Sequence, residues 1–364
     1  MDINYLDYLD DDLNYDWLEQ TIRVPKRYLR DMQNSIEGFP KYIVLEIILP
    51  IIYLDNMDCN SDRRGLKIDN ITKVLIALRF YASGNDQRVN GDTLGYSQAS
   101  ISIVVKEVSG LLAKCGKKWI RFPRAPYLQD TKEQFYLIGE FPGVIGAVDC
   151  THVPIKSPGG DNAEIYRNQK MSLNDCDPKM QIFDIVCRWP GSVHDSRIYN
   201  NSRVKLLIES NALAGHLIGD SGYPQSKFLY TPKLNPSTAA ENKYNKSHIK
   251  NRNVIERVNG VLKSRLRCLC RKLRTKLQTS TLIIGTFAIL HNVALSYNLD
   301  LQIENEEENV RLPRNYVLAI PDNRLGNIIK AEFIERYFTR VYNTLKWDCV
   351  DVNQDKTTWE SVQV

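Results

Sequence analysis

Three carboxylates in this 364-residue sequence occupy positions from which side chains could meet around a cation: Asp149, Asp220 and Glu256. Asp149 closes the apolar run Val144-Ile145-Gly146-Ala147-Val148, and Asp220 closes the shorter run 216–219. An acid at the end of a strand emerges at a sheet edge rather than in the core. Glu256 falls in a helical pattern over 252–269, with Ile255, Val258, Leu262, Leu266 and Leu269 on one side. In a sheet-and-helix sandwich the three positions can converge. Clustered carboxylates repel one another, which raises one or more of their pKa values unless a cation joins them. Two Mg²⁺ or Mn²⁺ ions roughly 3.5–4 Å apart would relieve that repulsion, activate a water and stabilise the leaving oxygen of a phosphodiester. Oxygen-only ligands suit hard cations and argue against zinc. A chain of this size holds many acidic triplets, and spacing alone does not single this one out.

The elements that must position these groups follow from hydrophobic period and from Gly, Pro and capping signals. Ile71, Val74, Leu75, Leu78, Phe80 and Tyr81 repeat at helical spacing up to Gly84. A short segment over 90–94 meets Gly95, and Ser97 can cap a second long helix through Ile101, Val104, Val105, Val108 and Leu112. Helix, glycine turn and capped helix over 68–114 outline a helix-turn-helix, a silhouette shared by purely structural helical hairpins. Pro123, Pro126 and Pro142 read as the punctuation of a linker. Strands are expected at 144–155, 180–188 and 216–219, helices at 194–210, 252–269 and 281–297. That alternation implies a mixed α/β domain over 141–297, preceded by an acidic tail (1–25) and a helical region (26–120) in which Pro50 marks a break, and followed by an extension (298–364).

Several neighbours of the triplet have plainer readings. Asp195, at a helix start beside His194, reads as a cap rather than a metal ligand. Asp184 lies within a strand pattern and reads as structural. His152 could orient Asp149 or a substrate, or be placed structurally. His291 and Asn292, inside an apolar helix, read as groups that satisfy polar atoms near the core.

Composition sets the outer limits. With 43% hydrophobic and 25% charged residues the chain is that of a globular protein, and its length fits two domains. A net charge of +5 says little, but its distribution says more. The first twenty residues carry seven acids and no base. Residues 261–277 carry Lys263, Arg265, Arg267, Arg271, Lys272, Arg274 and Lys276 and no acid. Such a basic segment could meet an anionic polymer, or be a solvated helix face. The eight cysteines show no CxxC and read as reduced thiols of an intracellular protein. Cys268 and Cys270 lack the further ligands a zinc site needs. The acidic N-terminus is no secretory signal, and the apolar runs 42–54 and 281–295 fall short of the roughly 20 residues a membrane-spanning helix needs. They read as buried helices.

Five blocks then change the weight of the triplet: GVIGAVDCTHVPIKSP (143–158), GGDNAEIYRNQK (159–170), FDIVCRWPGSVHDSRIY (183–199), IGDSGYP (218–224) and VIERVNGVLKSRLRCL (254–269). In this order they resemble the successive blocks of the PIF/Harbinger superfamily of DDE transposases, and within it the domesticated Harbinger transposase-derived nucleases. The likeness covers roughly 141–295, and RFYASGNDQRVNGDTLGYSQASISIVVKEVS (79–109) resembles the family's helix-turn-helix segment. The resemblance implies an RNase H-like core in which Asp149, Asp220 and Glu256 hold divalent metal, Mg²⁺ or Mn²⁺, for hydrolysis of DNA. It implies phosphate contacts from Lys263, Arg265, Arg267, Arg271 and Lys272, a separate Myb-like DNA-binding partner protein, and a location in the nucleus with some protein in the cytoplasm. The alternative is a descendant that binds DNA or protein without cleaving; an unrelated phosphohydrolase of small substrates is a third reading. One departure stands out. About half a dozen residues of the family pattern are absent between Lys170 and Asp177, where the second strand of the sheet should lie, so a weakened central strand is expected.

Overall fold

A computed structural model describes residues 68–123, 125–157, 170–187, 189–190, 193–210, 212–297 and 324–339. The acidic tail, the helical expectation over 26–60 and most of 298–364 lie outside the described residues. In chain order the elements are α1 (Asn70–Ser83), α2 (Gln87–Leu94), α3 (Gln98–Lys114), α4 (Gly116–Trp119), α5 (Ala125–Gly139), β1 (Val144–His152), β2 (Lys170–Cys176) and β3 (Ile182–Val186). There follow α6 (Asp195–Asn200), α7 (Arg203–Glu209), β4 (His216–Ile218), β5 (Leu229–Tyr230), α8 (Ala239–Arg265), a 3₁₀ turn (Arg267–Leu269), α9 (Leu277–Ser296) and α10 (Arg324–Phe338).

The first three helices begin and end where their side chains dictate. Asp69, Asp86 and Ser97 each accept an N–H from the first turn that follows, from Thr72, Arg88 and Ser100. That satisfies amides with no partner inside the helix. Gly84 closes α1 in the left-handed region at φ 61°, where a side chain is strained. Its missing Cβ also matters, because a methyl there would stand 2.8 Å from the backbone oxygen of Arg267. This close approach seats α1 on the turn that follows α8.

The fold is mixed α/β. Its sheet has the order β3-β2-β1-β4-β5, with β1 antiparallel to β2, β2 antiparallel to β3, and β1–β4–β5 parallel. One core lies on the sheet face that carries Ala147 and Cys176. It runs without interruption from Val74 and Leu112 of the first helices, through Val258 and Leu262 of α8, to Phe287 and Leu290 of α9. The helical region and the sheet therefore share a core across the boundary expected near residues 120–141. The other face, with Ile145, Val148 and Leu217, packs on Ile198, Tyr199, Val204 and Ile208 of α6 and α7. α10 closes the parallel edge, where Phe333 and Phe338 lie 5.4 and 5.7 Å from the ring of Phe141.

α9 is twenty residues long and apolar enough to cross a membrane by length and composition, longer than the run 281–295 suggested, yet its side chains are mostly buried in the protein. Two of its polar residues, His291 and Asn292, tie it to the sheet. The Asn292 amide accepts the N–H of Ile182 at 2.9 Å and donates to the carbonyls of Ile182 and Trp119 at 2.6 and 2.8 Å. His291 Nε2 lies 2.9 Å from the Met180 carbonyl. The pair thus satisfies backbone groups at the start of β3 and just before it, on the outermost strand of the sheet among the described residues.

Several expectations are corrected. The proline-marked stretch after Phe122 is the helix α5, because Pro126 falls in its first turn, where amides have no intrahelical partner to lose. The single helix expected at 194–210 is two, broken at Asn201, because Ser202 caps α7 through the N–H of Lys205. α8 starts thirteen residues before the apolar pattern at 252, on a capping box in which Thr238 and Glu241 exchange bonds. The strand feared lost is present. β2 pairs with β1 from Ala147↔Cys176 to His152↔Lys170 and with β3 from Leu173↔Val186 to Cys176↔Ile182. Residues 170–176 extend as strand in spite of the shortening, because β1 and β3 both have backbone groups to satisfy on that side.

Candidate active site

Asp149 lies near the end of β1, on the face toward α8, one residue beyond Val148 of the opposite core. Its Oδ2 accepts the Nδ2 N–H of Asn259 of α8 at 2.9 Å. Asp220 follows β4, the parallel neighbour of β1, in a turn where its Oδ1 accepts the N–H of Gly222 at 2.9 Å. Asp195 enters from the first turn of α6. A methyl placed on Gly222 would stand 3.0 Å from Asp220 Oδ1 and 3.7 Å from Asp195 Oδ2, so the two carboxylates flank one point.

The electrostatics agree with the geometry. Burial pushes the Asp149 carboxyl up, and the charges of Asp220 and Asp195 push it further, with Arg252 opposing, to about 7. Tyr223, whose hydroxyl donates to Cys150 Sγ at 3.3 Å, is raised well above its ordinary value by burial first and then by Cys150, Asp149 and Asp195. A half-buried acid surrounded by acids at the ends of two parallel strands is an arrangement that a hard cation stabilises.

Glu256 takes a different position. It is half-exposed on α8, and Arg252, one turn earlier, holds its Oε1 at 2.5 Å. The guanidinium that lowers Asp149 is the same one that pairs with Glu256. Among the described residues no three His, Cys, Asp or Glu side chains stand close enough to hold a metal ion. The carboxylate oxygens fit a divalent cation by donor type, with Asp149, Asp220 and Asp195 on one side and Glu256 held off by Arg252 on the other. Asp195, which stands beside Asp220, was read from sequence as a cap. His194 occupies the cap position instead, and the turn before α6 brings Asp195 to the other carboxylates.

The basic residues divide. Arg267, Arg271 and Lys272 are exposed and Lys263 is half-buried. Arg271 and Arg274 reach the loop before α2, to Asn85 Oδ1 at 3.4 Å and Asp86 Oδ2 at 3.1 Å. Arg265 is a correction to the expected phosphate contacts. It is 6% exposed because it continues the inward row Val258, Leu262 and Arg265 on α8. Asp184 is structural as expected, accepting the N–H groups of Ile185 and Val204. His152 is exposed at the end of β1.

Acids thus stand on or after two parallel strands beside a helix carrying a further one, and residues 148–292 match the family described as DDE superfamily endonuclease. More particularly, the chain belongs to the Harbinger transposase-derived nuclease family. It is 34% identical over 280 residues to the protein named "Putative nuclease HARBI1" of Homo sapiens, covering 73% of this chain and 78% of the human one. It is 33% identical over 265 residues to the Xenopus laevis protein of the same name, covering 68% and 76%. "Protein ALP1-like" of Arabidopsis thaliana is 25% identical over 281 residues, covering 70% of this chain and 68% of its own. No solved structure matches the chain.

Proposed function

We propose that the chain is a divalent-metal-dependent DNA endonuclease with an RNase H-like core, in which Asp149, Asp220 and Glu256 hold Mg²⁺ or Mn²⁺ and Asp195 contributes a further oxygen. The observation that carries this reading is the placement of Asp220 and Asp195 around the buried Asp149, whose carboxyl is raised to about 7 by burial first and then by those two charges. The order β3-β2-β1-β4-β5, with the second strand between the first and third, supports the RNase H-like assignment. A divalent ion held there would activate a water and stabilise the leaving oxygen of a phosphodiester. The chain's own groups do the rest. Asn259 fixes one oxygen of Asp149, the Gly222 N–H fixes one oxygen of Asp220, and Arg252 holds Glu256 until a cation competes for it. The exposed Arg267, Arg271 and Lys272, with Lys263, offer charge to phosphates, and α2–turn–α3 is the candidate DNA-reading unit, so binding should weaken steeply with salt. A Myb-like partner protein and a nuclear location belong to the same proposal. The test is nicking of duplex DNA in Mg²⁺ or Mn²⁺ by the wild type beside Asp149→Asn, Asp220→Asn and Glu256→Gln. Loss of nicking in all three, with metal-free DNA binding retained, is expected.

A second reading is favoured by one observation, the Arg252–Glu256 pair. A descendant that binds DNA without cleaving it needs no free third carboxylate, and in that case all four proteins bind DNA alike and none nicks.

A further inference from the structure

On the α8 side of the sheet two buried amides form a chain that ends on Asp149. Asn174 of β2 is the cross-strand neighbour of Asp149 and is 1% exposed. Its Nδ2 donates to Asn259 Oδ1 at 3.0 Å, and Asn259 Nδ2 donates to Asp149 Oδ2 at 2.9 Å. The chain has one sensible polarity. Turning the Asn259 amide over would aim its oxygen at the carboxylate and its N–H groups at the Asn174 donor. The acceptor-only carboxylate of Asp149 sets this direction, and the buried N–H of Asn174 completes it on the Asn259 oxygen.

We propose that Asn259, oriented by Asn174, is a positioning residue that holds the Asp149 carboxylate in its cation-binding attitude; this rests on the metal-site reading above. The argument has three parts. A carboxylate on a strand can rotate about its own side-chain bonds, and a charge-assisted bond from a buried donor removes that freedom. The donor is itself held by a second element, so it cannot follow the carboxylate if that turns. Asn259 also lies three residues after Glu256 on α8, and positions i and i+3 lie on neighbouring parts of a helix face. The same bond therefore sets the rotation of the helix that carries Glu256 against the strand that carries Asp149. Outer partners of this kind typically carry about 10- to 100-fold in metal affinity.

The test is Mn²⁺ binding by titration calorimetry on the full chain without DNA, for wild type, Asn259→Leu, Asn174→Leu, the double variant and Asp149→Asn. The expected result is a Kd for Mn²⁺ raised about 10- to 100-fold in Asn259→Leu. A smaller rise is expected in Asn174→Leu, and no further loss in the double variant, because Asn174 acts through Asn259. Nicking by Asn259→Leu should recover with excess Mn²⁺, and metal-free DNA binding should stay within about twofold of wild type, outcomes that a merely structural role would not produce. If Asn259→Leu does not fold, Asn259→Ser, smaller and still polar, is read in its place against the same expectation. Wild-type Mn²⁺ affinity in a folded Asn259 variant, with binding abolished in Asp149→Asn, overturns the positioning role and leaves the metal site standing. Unchanged affinity in Asp149→Asn overturns the metal-site reading and the positioning role with it.

Discussion

Replacing Asp175 with valine should make this protein more stable. Asp175 lies in the middle of β2, fully buried, on the face that packs against α6 and α7, with Val148 on one side and Asp184 on the other as cross-strand neighbours. Neither of its carboxylate oxygens makes a hydrogen bond of good geometry, and only the neighbouring N–H of Cys176 eases the charge. One of them fills the space that a side chain at Gly146 would need. Burial, and then the charge of Asp184, raise its pKa well above the ordinary 3.8. In the unfolded chain the group ionises in the ordinary range, so folding above that pH must take up a proton. Stability is intact below about pH 4 and falls by about 1.4 kcal/mol per pH unit as pH rises toward the folded pKa. The neutral acid still leaves polar atoms unpaired, at about 1–3 kcal/mol. Asp175→Val removes both costs with one fewer heavy atom, and a gain of about 2–4 kcal/mol at pH 7 is expected. Asp175→Asn removes the proton uptake but keeps the unpaired polar atoms, so it should gain less. Urea unfolding followed from pH 4 to 8 reads both. The variant curves should be shallower with pH than wild type, although Asp149, Asp177 and Asp184, all raised by burial, keep some slope. A valine variant less stable than wild type at pH 7, or one with an unchanged pH slope, refutes the reasoning.

Three further outcomes are expected. Asn292→Ala leaves the Ile182 backbone groups and the Trp119 carbonyl without the amide and should cost on the order of 2–4 kcal/mol in urea unfolding, with hydrogen exchange at β3 accelerating first. His216 and His248 are held by burial to about 3, well below 6.5, so the folded state excludes protons that the unfolded state binds. Their stabilisation is full above 6.5 and lost as pH falls from 6.5 toward 3, and His216→Phe should flatten that acid limb. Gly84→Ala meets both a left-handed backbone and the Arg267 carbonyl, and should cost about 1–3 kcal/mol by thermal unfolding while leaving Mn²⁺ binding unchanged.

Much of this was readable from the residues. Gly84 ends α1, Gly95 ends α2 and Ser97 caps α3 as expected, because local hydrogen bonding and backbone freedom decide those positions. The run before Asp149 made a strand, and His291 and Asn292 proved to satisfy buried backbone groups. The first half of α8 was not legible, since residues 239–251 carry few apolar side chains and are held by the capping box and by Tyr244, which packs on Phe141. β5 is two residues long and exists only because β4 offers it an edge. β2 was misjudged for a related reason. Its extended form is imposed by two flanking strands, and the mark of that imposition is Asp175, an acid at a position where the packing calls for an apolar group. Asp149 and Asp220 lie on or just after the strands that the apolar runs before them marked. That Asp195 comes beside Asp220 was not legible, because a helix-start acid normally caps, and Arg265 was misplaced because a charge run says nothing of which residues a long helix turns inward.

The most direct test of the account is single-turnover nicking of supercoiled DNA against Mn²⁺ concentration, by wild type and Asp149→Asn, with metal-free DNA affinity measured on the same preparations. The account predicts saturable, Mn²⁺-dependent nicking by the wild type, none by Asp149→Asn, and equal DNA affinity for the two. Nicking by Asp149→Asn at the wild-type rate, or by either protein without metal, would contradict it.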